Sequence, residues 1–99
     1  MIDWTKITGF DWDEGNTRKN EKHGVCMAEA EQVFFNAPLL VLDDAGHSNQ
    51  EPRFHALGKT DDSRLLHITF TVRHEGEKIR VISARAMHRK ERDIYEKAT

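Results

Sequence analysis

Apolar and polar positions alternate most regularly in the second half of the chain. Residues 65–72 (LLHITFTV) place their larger apolar side chains on one face, with His67 and two threonines on the other. A second alternating segment covers 79–86, and Glu75–Glu77 between the two segments has the composition of a hairpin turn. The pattern therefore predicts two long antiparallel strands at the centre of a sheet.

The first half of the chain predicts shorter elements. Residues 10–12 alternate like a brief strand, and Asp13 is a suitable N-cap for a polar helix that runs to about His23, with Gly24 as its left-handed end. A second helix is expected over 27–36. The remaining predictions are strands at 39–42 and 53–59, a loop at 43–50 and a last helix at 88–97.

The resulting element order, β-α-α-β-β-β-β-α, indicates an α+β fold. We expect an antiparallel sheet of about four strands plus a short N-terminal strand, two N-terminal helices and a C-terminal helix. With 99 residues, of which 37% are apolar, the chain is expected to form a single domain over residues 1–99 with a thin core.

The hairpin between the two long strands can close in two registers, and the register decides which arginine faces the polar side. If Arg73 pairs with Lys78, Arg80 shares the face of His67 and Arg85 turns to the apolar face. This arrangement mixes polar and apolar side chains on both faces, which is costly where one face is buried.

The alternative register pairs His74 with Lys78 and sets Phe70 opposite Ile82. We favour this register because it keeps one face mostly apolar and the other polar. Arg80 then lies near the rim of the sheet, where its stem covers the edge of the core. The polar side gathers candidate phosphate-binding and proton-transfer groups from three strands: Arg53, His55, Lys59, His67, Ser83 and Arg85.

Charge is distributed unevenly between the two halves. Residues 1–51 contain 4 Lys/Arg and 10 Asp/Glu, a net charge of −6, whereas residues 52–99 contain 11 and 7, a net charge of +4. Such a chain suits a protein that meets a basic partner on one side and an anionic substrate on the other. Without an apolar run of roughly 20 residues or a signal-peptide pattern, and with Cys26 as the single cysteine, we expect a cytoplasmic protein that does not associate with membranes.

The polar strand positions carry the groups that RNA cleavage requires. The reaction needs a base for the 2′-hydroxyl, positive charge at the phosphate and an acid for the leaving oxygen. Arg53 and Arg85 suit the phosphate, and Glu51, His55 or His67 suit proton transfer. The same pattern also fits a solvated surface on which arginines pair with acidic residues.

Further positive charges lie outside the central hairpin. Lys59 adds charge at the end of a strand, and Arg89 and Arg92 on the last helix either follow a phosphate backbone or pair with neighbouring acids such as Glu91. The six histidines show neither an HExxH motif nor paired Cys/His spacing. We therefore expect no metal site and no cofactor.

Several short segments, in order along the chain, resemble the BrnT family, the toxins of a bacterial type II toxin–antitoxin pair. The matching segments span about residues 10–97 and are Phe10-Asp11-Trp12-Asp13, Asn20-Glu21-Lys22-His23-Gly24-Val25, Phe34 before Pro38, Glu51-x-Arg53-Phe54-x-Ala56-Leu57-Gly58, Ile79-Arg80-Val81-Ile82-Ser83-Ala84-Arg85 and Arg89-x-Glu91-Arg92-x-x-Tyr95. Two positions depart from the family pattern. Cys26 stands where serine or a similar cap is usual, and Pro52 stands where an acidic or polar residue is usual.

The resemblance implies a RelE-like fold and a ribonuclease that stops translation. It also implies a partner, a BrnA-like antitoxin with a DNA-binding domain of the ribbon-helix-helix type, in a heterotetramer that reaches operator DNA only through the antitoxin. Carried over position by position, the family pattern singles out Glu51, Arg53, Arg80, Ser83 and Arg85.

We therefore predict a metal-independent endoribonuclease toxin that acts on RNA. The predicted catalytic residues are Glu51, Arg53, His67, Arg80, Ser83 and Arg85, and the predicted RNA-binding residues are Lys59, Arg89 and Arg92. The alternative is a binding module without chemistry, which serves as the co-repressor subunit of a toxin–antitoxin-like complex.

Overall fold

The computed structural model describes residues 2–44 and 51–99, so most of the predicted loop at 43–50 lies outside the described residues. In the described part, three α-helices pack on a five-stranded sheet. The strands are β1 (Gly9–Phe10), β2 (Leu40–Asp43), β3 (Phe54–Lys59), β4 (Leu65–Arg73) and β5 (Lys78–Ala86), and the helices are α1 (Glu14–Lys22), α2 (Met27–Phe35) and α3 (Arg89–Ala98). No helix in these two ranges is long and apolar enough to cross a membrane.

The sheet has the strand order β1-β5-β4-β3-β2. Strands β2 to β5 are antiparallel neighbours, which confirms the predicted α+β class and its four-stranded antiparallel centre. The short N-terminal strand is two residues long and pairs parallel to β5, so the sheet is mixed. The predicted strand at 10–12 was placed too late in the chain: the parallel pairing covers Gly9 and Phe10, and it ends with a hydrogen bond from the Asp11 N–H to the Ile79 carbonyl at 2.8 Å before α1 begins.

One face of the sheet packs against α1 and α2 and forms the main core. Phe70, Ile68 and Val33 are fully buried there, and the ring of Phe34 meets the ring of Phe70 edge to face, with 5.0 Å between centroids. Gly58 permits the close approach of α2 to β3, because a Cβ at this position would lie 2.8 Å from Val33 Cγ1. Helix α2 is thus held directly against the sheet.

A 3₁₀ helix at Trp4–Lys6 was not predicted. The side chain of Asp3 caps it by accepting a hydrogen bond from the Thr5 backbone N–H at 3.1 Å. The Trp4 ring packs against Phe34 and Phe70, with 6.4 Å between centroids in both pairs. Three residues are too few to give a periodic signal, so this element escapes pattern analysis.

The ends of α1 and α2 follow the predictions closely. Gly24 has a φ of +76°, the left-handed conformation expected after α1. Cys26 is the N-cap of α2, and Glu29 accepts a hydrogen bond from its backbone N–H at 3.3 Å. Asn20 on α1 is buried, and its Oδ1 accepts a hydrogen bond from the Ala84 N–H at 2.8 Å. This bond gives the Ala84 N–H a partner in the part of β5 that the short β1 does not reach.

Helix α3 covers one end of the opposite face of the sheet. Leu57, Met87 and Tyr95 form a small second core there, and the Tyr95 hydroxyl donates a hydrogen bond to the Pro38 carbonyl at 2.6 Å. Among the three α-helices in the described ranges, α3 alone contributes to this small core, which lies away from the β4–β5 turn. We call this opposite face the polar face; it is the side of the sheet that carries His67.

The β4–β5 ladder contains a β-bulge, so that one of the two registers considered from the sequence occurs on each side of it. From Leu66 opposite Ala86 to Thr69 opposite Ser83, the pairing is the register that the sequence favoured. Past the bulge, Phe70 pairs with Val81 and not with Ile82, and the ladder continues in the other register to the turn. Ile82 is the extra residue.

The bulge places Arg80 opposite Thr71 and Arg85 opposite His67, so both arginines project on the polar face. In the favoured register Arg80 does not share the face of His67, and that part of the prediction was wrong; its position next to the edge strand β1 agrees with the expected place near the rim. The physical reason lies in the core, because Ile79, Val81 and Ala84 are all buried against α1 and α2. Strict alternation cannot bury positions 79, 81 and 84 on one side, and one inserted residue can.

Candidate active site

The polar face carries a row of hydrogen-bonding side chains across its three central strands. Near α3 it forms an open concavity of about 530 Å³. The groups of the concavity used below come from β3, β4, β5 and α3: His55, His67, Thr69, Ser83, Arg85 and Glu91. The sequence-predicted His67, Ser83 and Arg85 are therefore together in the structure, as the favoured register required.

Arg85 and Glu91 form a two-point ion pair at the floor of the concavity. The two terminal nitrogens of Arg85 donate to the two carboxylate oxygens of Glu91 at 2.7 and 2.9 Å. Glu91 also accepts a hydrogen bond from the His88 backbone N–H at 2.8 Å, which caps the start of α3. The hydrogen bonds from Arg85 outweigh the effect of burial and lower the pKa of Glu91 to about 2.

His67 lies beside this ion pair and is largely buried. Its Nε2 is 3.7 Å from Glu91 Oε2, and its Nδ1 has no hydrogen-bond partner among the described residues. Burial, assisted by the charge of Arg85 and opposed by Glu91, lowers the pKa of His67 to about 4. The ring is consequently neutral near pH 7 and offers a polar atom without adding charge.

His55 stands next to His67 and has partners on both ring nitrogens. Nε2 lies 3.0 Å from Asp44 Oδ2, and Nδ1 lies 3.1 Å from the Thr69 hydroxyl. The two imidazole rings pack against each other with 4.9 Å between centroids. Asp44 lies next to His55 because Leu42 of β2 pairs with His55 and Asp44 follows directly after this strand.

The predicted residues Glu51, Arg53 and Arg80 lie toward the other end of the polar face. Glu51 pairs with Arg73, with 2.6 Å between Oε1 and Nε. Arg73 is six residues from His67 along β4, about 20 Å at the rise of a strand, so Glu51 is not part of the concavity. Arg53 directly precedes β3 and forms no ion pair with a described residue.

Arg80 leans away from the concavity toward the β1 edge. Its guanidinium lies 3.8 Å from an Asp11 oxygen and 3.5 Å from an Asp13 oxygen. Along β4, the four-residue interval between its partner Thr71 and His67 corresponds to about 13 Å. The two arginines thus share a face without sharing a site.

Two of the predicted RNA-binding residues lie on α3 and the third lies at the end of β3. Arg89 and Arg92 are exposed on this helix and form no ion pair within the described ranges, while Lys59 ends β3. Pairing with Glu91, the alternative left open by the sequence, does not occur, because Glu91 contacts Arg85. These side chains remain available to an anionic ligand.

Sequence reasoning did not assign a role to two groups of the concavity, Thr69 and Glu91, or to Asp44, which contacts His55 beside it. One signal for Glu91 was present, because it stands three residues after His88 at the predicted start of the last helix, the capping-box position. Asp44 carried no such signal, since its contact with His55 depends on the pairing of two strands separated by a loop.

The comparison with known families decides what kind of protein this is. The model of the family described as "Ribonuclease toxin, BrnT, of type II toxin-antitoxin system" matches residues 12–91. The chain belongs to the BrnT family. BrnT proteins are ribonuclease toxins of type II toxin–antitoxin systems, a type in which the partner is a protein antitoxin. No curated protein matches the chain in a sequence search.

The match to the BrnT family model covers every polar and charged residue that lines the concavity; of the lining, Ile94 lies beyond it. It begins before α1 and ends at Glu91, the residue of α3 that holds Arg85. The resemblance that the sequence motifs carried is thereby confirmed.

Proposed function

We propose that the protein is an endoribonuclease that cleaves RNA, arrests translation and is neutralised by a protein antitoxin. The observation that carries the proposal is the concavity itself, where Arg85 and two histidines converge on an open sheet face in a chain of the BrnT family. A guanidinium is a favoured partner for the phosphate whose negative charge grows in the transition state.

Arg85 is the proposed phosphate-binding and charge-stabilising group. To bind RNA, Arg85 exchanges at least one of its two hydrogen bonds to Glu91 for a hydrogen bond to a phosphate oxygen. The guanidinium can therefore make two hydrogen bonds both before and after the phosphate binds. Neutral His67 and the Ser83 hydroxyl are proposed to hydrogen-bond the same phosphate, and Arg53, Arg80, Lys59, Arg89 and Arg92 to hold the flanking RNA backbone. The positive charge comes from side chains, so we propose cleavage without a metal ion.

Glu51 has a different place in this proposal from the one that the sequence suggested. Its ion pair with Arg73 holds it at the hairpin end, about 20 Å along the strand from the rung of Arg85. We therefore assign it a contact with RNA or a role in positioning Arg73, and we assign proton transfer to groups of the concavity.

The antitoxin is proposed to be a BrnA-like protein with a ribbon-helix-helix DNA-binding domain, forming a heterotetramer with this chain in the cytoplasm. The acidic first half, with a net charge of −6 over residues 1–51, suits a basic partner surface. In this proposal operator DNA is contacted only through the antitoxin.

A co-repressor subunit without chemistry is the second candidate. The observation that favours it is the closed Arg85–Glu91 pair, in which the arginine already has a two-point acidic partner. In this alternative Arg85 is a structural residue that fastens α3 to the sheet.

Cleavage of RNA by the purified protein in the presence of EDTA distinguishes the two. The wild type is expected to cleave, and Arg85→Ala to cleave about 10²–10³ times more slowly, the loss typical of one transition-state charge contact. Arg18→Ala is the matched control, because Arg18 is exposed on α1, on the far side of the sheet, and pairs with Glu14 of the same helix. Soluble, folded wild type that neither cleaves RNA nor arrests growth on induction supports the co-repressor.

A further inference from the structure

The contacts of His55 determine which of its nitrogens can accept a proton. Asp44, when ionised, only accepts hydrogen bonds, so the 3.0 Å contact requires that His55 Nε2 carry the hydrogen. The neutral ring then has its lone pair on Nδ1. At 3.1 Å from Nδ1, the Thr69 hydroxyl is the donor, which shows that a hydroxyl fits within reach of this nitrogen.

The other titratable groups of the concavity are less suited to accept a proton. Asp43 lies exposed on the edge strand β2, three strands away from Arg85. Glu91 is occupied by Arg85 and by the His88 N–H. His67 sits deeper than His55, with 10% of its side chain exposed against 28%, and lies beside Arg85, which disfavours a second positive charge. His55 alone among them has a carboxylate on its far nitrogen that can stabilise the ring once it is protonated.

We infer that His55, oriented by Asp44, is the catalytic residue that takes the proton from the attacking 2′-hydroxyl of RNA. The inference rests on the proposed ribonuclease function and names its base. A substrate hydroxyl takes the place of the Thr69 hydroxyl at Nδ1, and the Arg85 guanidinium, one strand beyond His67, holds the phosphate. Asp44 is a positioning residue, since it acts only through the imidazole.

The step balances as a transesterification. The lone pair of His55 Nδ1 takes the 2′-hydroxyl proton while the 2′-oxygen forms a bond to phosphorus. The bond from phosphorus to the 5′-oxygen breaks, its electron pair stays on that oxygen, and the oxygen takes a proton from water. The products are a 2′,3′-cyclic phosphate and a 5′-hydroxyl, and His55 then releases its proton to solvent.

The test is the pH dependence of RNA cleavage by His55→Gln and Asp44→Asn. We expect His55→Gln to cleave about 10²–10⁴ times more slowly than wild type, the usual contribution of a general base. The acidic limb of the rate profile, which reports protonation of the base, should disappear in His55→Gln and shift in Asp44→Asn. The charged and titratable groups around His55 are Asp43 on β2, Asp44 after β2, His67 on β4, Arg85 on β5 and Glu91 on α3.

The chain offers a matched control pair outside the concavity. His74 also has an aspartate partner, with 3.1 Å from its Nε2 to Asp11 Oδ2, but it is 62% exposed at the β4–β5 turn. His74→Gln should keep the wild-type rate within about twofold together with the wild-type profile.

The possible failures are distinguishable. Folded wild type that leaves RNA intact overturns the proposed function. Wild type that cleaves, together with a His55→Gln variant that retains the rate and the acidic limb, overturns the role of His55 alone. If His55→Gln does not fold, as judged by circular dichroism, Asp44→Asn decides, because an unchanged profile in that variant also overturns the inference.

Discussion

The two ends of the polar face hold similar groups in different surroundings. At the α3 end, Arg85 makes two hydrogen bonds to Glu91 under the cover of a helix. At the hairpin end, Arg80 lies 3.5–3.8 Å from Asp13 and Asp11 beside the edge strand β1. The side chains of Arg80 and Arg85 are similarly buried, 23% and 28% exposed, so the two pairs differ in geometry and not in burial. Two parallel hydrogen bonds to one carboxylate are stronger and more specific than longer single contacts. The difference teaches that two-point pairing with a residue of α3, more than residue type or burial, marks the site.

The largest expected effect separates the two arginines in RNA cleavage. Arg85→Ala should lower the rate about 10²–10³-fold, because it removes charge at the reacting phosphate. Arg80→Ala should lower it less than about tenfold, since Arg80 is placed to hold flanking backbone and its effect should fade as salt is raised. The cleavage rates of both variants should be measured at about 50 and about 500 mM salt, because the screening of exposed charges increases strongly over this range.

Equal losses in the two variants would remove the distinction between the ends of the polar face. Lys97→Ala on the last turn of α3 serves as a surface control.

The second expected effect concerns His67 and the loss of protein stability in acid. Because the pKa of His67 is about 4 in the folded protein and ordinarily 6.5, the unfolded chain binds the proton first as pH falls. The free energy of unfolding should therefore be unaffected by His67 above pH 6.5 and fall by roughly 2–3 kcal/mol between pH 6.5 and 4. Urea unfolding of wild type and His67→Gln across this window measures the contribution.

At the opposite end of the face, His74→Gln supplies the comparison for acid stability. His74 is exposed, so this variant should retain the wild-type decline with acid, whereas His67→Gln should flatten it. A His67→Gln protein with the full wild-type decline would show that burial beneath α3 does not control this histidine.

Most of the fold was predictable because it rests on local patterns. The two long strands alternate over eight or nine residues, and the caps at Gly24 and Cys26 are single-residue signals. The bulge at Ile82 was missed, although a signal was present. Apolar residues occupy odd positions at Ile79 and Val81 and an even position at Ala84, a change of phase that marks an inserted residue.

The candidate site was less predictable, because its contacts join distant parts of the chain. The pairing of His67 with Arg85 was predicted from a hairpin register, but the turn closes in the other register and the bulge restores this pairing. The contact of His55 with Asp44 crosses the loop between β2 and β3, and the separation of Glu51 from Arg85 depends on the ion pair with Arg73. Spacing along one sequence carries no information on such tertiary partners.

The smallest expected effect compares the two carboxylates in stability. Glu91→Gln keeps its shape but leaves Arg85 without a charged partner beneath α3 and weakens the cap on His88, so we expect a loss of about 1–2 kcal/mol. Asp13→Asn should change the free energy of unfolding by less than about 0.5 kcal/mol, because its contact with Arg80 is long, at 3.5 Å, and Asp13 is 41% exposed. For a domain of this size, 1 kcal/mol corresponds to about 4–8 °C in Tm, so thermal unfolding at pH 7 resolves the two variants. Equal shifts would mean that α3 does not strengthen the ion pair that it covers, and the contrast between the two ends of the polar face would then reduce to distance alone.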